Sequence, residues 1–113
     1  MVRISVVRNI DVSANTSTFL DLYTVPPAKK LTVTDISVSF PVNTIYELKV
    51  WFYVNDRLEV PSDPNYPIVG ENITVSLKPN IELVSNEKLR VKLQNVNASA
   101  VRSCVIKVEG ELE

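Results

Sequence analysis

Along most of this chain apolar and polar residues alternate one by one, and the alternation restarts several times after short polar or proline-containing breaks. Val2, Ile4 and Val6 alternate with Arg3 and Ser5, which is the period of a half-buried strand. After polar residues 15–17, TFLDLYTV predicts a second strand, stopped by Pro26 and Pro27, which have no N–H to give a ladder. Leu31 and Val33 point one way, whereas Ile36, Val38 and Phe40 occupy the opposite parity. One extra residue near Thr34 and Asp35 restores the phase, so a β-bulge is predicted there. From Tyr46 to Val54 the pattern is clearest: Tyr46, Leu48, Val50, Phe52 and Val54 on one face, Glu47, Lys49, Trp51 and Tyr53 on the other. Asn55 and Asp56 suit a tight turn, with Leu58 to Val60 returning alongside.

Residues 61–67, PSDPNYP, with three prolines, predict a surface loop. Ile73, Val75 and Leu77 then form an apolar face, ended by Lys78, Pro79 and Asn80, and Ile81 to Val84 form a short strand. Leu89, Val91 and Leu93 face inward against outward Arg90, Lys92 and Gln94, and Cys104, Ile106 and Val108 line the last strand. No window keeps apolar residues at helical spacing, so the reading is all-β: an antiparallel two-sheet β-sandwich of about eight strands. Its expected core includes Leu48, Val50, Phe52, Leu89, Val91, Ile106 and Val108.

Composition agrees with strands, since β-branched Val, Ile and Thr are abundant and suit a pleated surface. At 113 residues, with no stretch that reads as a linker, residues 1–113 are expected to form one domain large enough to hold without metal or disulfide. Twelve basic and 13 acidic residues leave a net charge of -1, so no bulk field draws in nucleic acid or an anionic membrane. No stretch of about 18 apolar residues occurs, and the first residues lack the apolar run of a signal peptide. Synthesis in the cytoplasm without a signal peptide is therefore the expectation. The lone Cys104 alternates with Ile106 and Val108, as a small buried hydrophobe would. Seven Pro, 2 Gly and an even mix of charges match the composition of heat-adapted proteins.

With no His, chemistry that needs an imidazole base, acid or ligand is excluded. Four strand carboxylates, Asp21, Asp35, Glu47 and Glu59, could in principle meet as an acid–base pair, but outward strand charges are ordinarily solvated or paired. Asp56, Asp63, Asn65 and Glu71 could offer oxygen atoms to Ca²⁺, yet their spacing matches no ligand loop and turn formation explains them. The expectation is no catalytic residue, no metal and no cofactor. If Leu48, Val50 and Phe52 face the core, Glu47, Lys49, Trp51 and Tyr53 form a candidate interaction surface, joined by Tyr66; the alternative is that the loop of residues 63–67 covers the aromatics. Asn15, Asn72 and Asn97 each begin an Asn-x-Ser/Thr triplet, the acceptor pattern for an N-glycan.

LYTVPPAKKLTVTDISVSF resembles a pattern in small jelly-roll structural proteins of bacterial and archaeal viruses: a strand ending Tyr-Thr-Val-Pro, a turn with Lys, then an apolar strand containing Thr. Tyr23, Thr24, Val25, Pro26 and Lys29 match, while Pro27 and Ala28 stand where Ala-Gly is common. NEKLRVKLQN followed by CVIKVEGEL is similar to the closing strands of such domains at Glu87, Lys88, Leu89, Glu109 and Gly110. The resemblance implies a jelly roll and a non-catalytic virion subunit, such as a capsid, penton or decoration protein, that associates with itself and with other virion proteins. The rival expectation is a carbohydrate-binding sandwich located in the cytoplasm, with Trp51, Tyr53 and Tyr66 stacking on glycan rings. Self-association is expected through the Glu47–Tyr53 face or through sheet edges formed by the terminal strands, residues 2–9 and 101–112.

Overall fold

A computed structural model describes all 113 residues and contains nine strands and no helix. They are β1 (Val2–Val12), β2 (Thr16–Thr24), β3 (Leu31–Phe40), β4 (Leu48–Val54), β5 (Arg57–Val60), β6 (Ile73–Leu77), β7 (Ile81–Leu83), β8 (Lys88–Asn95) and β9 (Arg102–Leu112). The phase change in β3 is resolved as expected: its register against β9 slips between Val33 and Asp35, leaving Thr34 as the extra residue. The slip lets Leu31 and Val33 bury before it and Ile36, Val38 and Phe40 after it. Two tight turns use Asn in the left-handed region, where its short side chain is tolerated: Asn15 in the connection from β1 to β2, which do not pair, and Asn55 in the β4–β5 hairpin.

One sheet runs β1-β9-β3, with β6 and β7 both paired to the far side of β3; the other runs β2-β8-β4-β5. β6 and β7 act as one strand broken at residues 78–80, because β6 pairs with Ile36–Phe40 and β7 with Leu31–Val33. Counted so, first pairs with last, second with seventh, third with sixth and fourth with fifth. Two antiparallel sheets wrapped by that nesting are a jelly roll.

Between the sheets lies one cluster of 22 buried apolar residues, which includes all seven expected core positions. Each fully buried Val, Leu, Ile or Phe contributes about 1.5–3 kcal/mol of transfer free energy, opposed by chain entropy. The main buried polar side chain, Asn95, closes one end of the core; its Nδ2 donates to the carbonyls of Val12 and Ala100, and its Oδ1 accepts from the Asn97 amide. No buried side-chain nitrogen or oxygen lacks a partner.

Two expectations change. Tyr46 does not continue the inward face of β4: it precedes the strand, has φ 58° and is 61% exposed. The strand shortens because residues 43–46 form a tight turn that carries the chain from one sheet to the other. β9 is not an edge, since β1 and β3 flank it. Only β1, of the two terminal strands, has an unpaired side.

Candidate interaction surfaces

On β4 the outward parity belongs to Lys49, Trp51 and Tyr53, which stand beside Gln94, Lys92 and Arg90 of β8. Beyond β8, β2 adds Phe19 opposite Lys92 and Asp21 opposite Arg90. The aromatics there pack among themselves and under cations. Phe19 meets Tyr53 edge-on at 5.1 Å, Arg90 lies 4.7 Å from the Phe19 ring centre, and Lys92 Nζ lies 5.1 Å from that of Trp51.

Trp51 is only 7% exposed. Its indole Nε1 donates to the Pro64 carbonyl at 3.0 Å, so the proline-rich loop covers it, the alternative weighed above. Trp51 thus ties loop to sheet and is no exposed contact centre. Tyr53 is half-buried beneath Phe19, and Tyr66, 74% exposed, stands apart on the loop. The three aromatics of the glycan-binding reading therefore form no open platform. Phe19 was missed because TFLDLYTV is apolar at both parities; the charge pattern of Arg90 and Lys92 across from it becomes visible only once β2 and β8 are known to pair.

Glu47 belongs to a different group. It accepts from Asn97 Nδ2 at 3.0 Å and pairs with Arg102 Nη2 at 3.0 Å, at the end of the sandwich where Asn95 sits. These bonds hold its carboxyl below the usual range. Asn97 also caps the following turn, its Oδ1 accepting from the amides of Ser99 and Ala100. Among the candidate acceptor asparagines, Asn97 is therefore locked by its own amide, whereas Asn15 and Asn72 are exposed turn residues with positive φ.

The other carboxylates are dispersed. Asp21 pairs with Arg90 at 2.8 Å, Glu59 with Arg57 at 2.6 Å, and Asp35 with Lys78 at 2.8 Å and Arg3 at 3.0 Å. Lys78, Thr34 and Arg3 together hold the Asp35 carboxyl down to about 2. Each candidate acid thus faces its own cation rather than a second acid. The oxygen atoms considered for Ca²⁺ do not converge either. Asp63 accepts from the Asn65 amide, Glu71 from the amides of Asn43 and Ile45, and Asp56 lies near Arg90. No three His, Cys, Asp or Glu side chains are grouped to hold a metal. Cys104 is buried, and desolvation pushes its thiol up to about 12.

A solved phage capsid chain shares this architecture. The chain, from a structure described as "Cyanophage Pam1 capsid asymmetric unit", superposes with a TM-score of 0.54 at 11% sequence identity, over 96% of this chain and 83% of that one. At such low identity the likeness is one of fold. No protein-family model and no curated protein matches the sequence.

Proposed function

We propose that residues 1–113 act as one non-catalytic structural domain of a virion, a capsid, penton or decoration subunit that works by binding copies of itself and other virion proteins. The observation that carries this reading is the likeness of nearly the whole chain to a chain of a phage capsid. Two features of the site support it. Each candidate carboxylate is matched to a separate cation, and the aromatics of the outer sheet are used for packing. The protein is then made in the cytoplasm and resides in the particle. Purifying particles from the source and measuring copy number by quantitative mass spectrometry tests the reading: a fixed, high stoichiometry per particle is expected. Abundance in the cell lysate with absence from particles would sink it. Glycan-array binding abolished by Tyr66→Ala would move the assignment to the carbohydrate-binding class.

A further inference from the structure

The two sheets have four outer edges, and three are blunted. β2 carries a register slip between Asp21 and Tyr23, β5 has four residues, and the β6–β7 edge is broken by Lys78, Pro79 and Asn80. Bulges, short length and proline are the usual means by which natural sheets keep edges from pairing. β1 has none of them. Its 11 residues pair with β9 without a single slip, contain neither Pro nor Gly, and offer their other side to no strand of the chain. Val7 at its midpoint is 53% exposed.

We propose that β1 pairs antiparallel with β1 of a second copy about a two-fold axis at Val7, joining the β1-β9-β3 sheets of two subunits into one continuous sheet; this deepens the self-association reading and rests on it. Symmetry narrows the register. Directly opposed residues of an antiparallel pair point to the same face, so only residues of equal parity can oppose each other. Shifting the axis along β1 in such steps sets Arg8 against itself at one position and leaves Arg3 and Asp11 without opposite charges at the others. At Val7 alone, Arg3 opposes Asp11 of the second copy, twice by symmetry. The same register uses all of Val2–Val12, sets Ile4 against Ile10 and Val2 against Val12, and brings Val7 onto its own mate. Ser5 then opposes Asn9, so every pair except Val6 with Arg8 matches in chemistry or in charge, which favours the pairing.

Of the two charged partners, Arg3 already bonds Thr34 through Nη1 and Asp35 through Nη2 and lies 3.6 Å from Glu109 and 3.9 Å from Glu111. Its Nε, however, donates to no group of the chain and its side chain is 46% exposed, which leaves that nitrogen for Asp11 of the second copy. Asp11 has no ion-pair partner within the chain. Arg8, whose Nη1 reaches the Val7 carbonyl at 3.3 Å, is an exposed side chain free to turn away.

Cysteine cross-linking reads the register directly, because buried Cys104 leaves an introduced thiol as the reactive one. With the full chain at tens of micromolar under mild oxidation or a short bis-maleimide, Val7→Cys is expected to form a covalent dimer. Asn9→Cys, whose mates are separated by four residues along the strands, is expected to stay uncoupled. Sedimentation should show a wild-type dimer, and Asp11→Lys, which faces Arg3 with a like charge, should weaken it about tenfold or more. A monomeric wild type, equal coupling at both cysteines, or a dimer indifferent to Asp11→Lys would each overturn the pairing. If any of these occurs while the chain is still found at fixed stoichiometry in particles, the virion reading stands and only the β1 edge is excluded.

Discussion

Asp35 is held where it is by one extra residue. The bulge at Thr34 turns the Asp35 carboxylate to the outer face, into reach of Lys78 and Arg3, and the Thr34 hydroxyl donates to it at 2.9 Å. Its pKa falls to about 2, chiefly through the Lys78 bond, then the Thr34 hydroxyl and the Arg3 bond. A carboxyl whose folded pKa lies below its unfolded value adds stability that is complete above about pH 4 and disappears as pH falls toward 2. Asp35→Asn should therefore melt with a visibly shallower dependence on pH between 4 and 2 than the parent; identical slopes in differential scanning calorimetry would reject the assignment. Gly110 shows a second constraint. A Cβ built there would sit 2.5 Å from the Thr32 carbonyl and 3.1 Å from Leu31, because β3 crosses closely at its bulge. Gly110→Ala should cost about 1–3 kcal/mol in urea unfolding, and an unchanged midpoint would show that the strands can separate freely. Both positions could be found from sequence to different degrees. The phase change announces the bulge, and Gly110 fits the closing-strand pattern, but alternation states which face Trp51 occupies without revealing that Pro64 lies over it.

At the level of elements, single faces were legible and neighbours were not. β4, β8 and β9 bury the side their alternation marks, because period two follows from the pleat alone. The order of strands follows from no local signal, which is why the last strand could pass for an edge although it lies in the middle of its sheet. The connection from β3 to β4 likewise exceeded what its residues announce. There Asn43, Ile45 and Tyr46 all have positive φ, and Glu71 holds the turn by accepting from the amides of Asn43 and Ile45. For a β-branched residue this conformation is costly, and Ile45, 55% exposed, recovers little by burial. Ile45→Asn should raise stability by about 1 kcal/mol, since Asn tolerates the left-handed region. A loss of stability in chemical denaturation would mean that the Ile45 side chain contributes more than its backbone costs. The same bonds lower the Glu71 carboxyl, so this turn too is expected to loosen in acid as Glu71 takes up its proton.

Across the whole molecule the chain is folded back on itself: Val2 opposes Leu112, and the Lys30 and Glu113 backbones bond to each other, so the two ends of the chain finish beside the start of β3. The largest separations in sequence are thus bridged by the longest pair of strands, β1 and β9. Proteins whose contacts join distant residues fold slowly, because chain closure is unfavourable until those contacts form. Termini this close can be joined, and the exposed turn between β1 and β2 can be opened, without removing any strand pair. In such a circular permutant, linked from Glu113 to Met1 and opened between Ala14 and Asn15, β9 and β1 become a local hairpin while every other pairing keeps its partner. Trp51, the one tryptophan and buried only when loop meets sheet, supplies the fluorescence signal in stopped-flow refolding. The permutant is expected to reach the same native spectrum and to refold faster than the parent. Equal or slower refolding, at matched stability, would mean that β1 docks after the rate-limiting step, so that its edge becomes available for pairing only once the rest of the sandwich is complete.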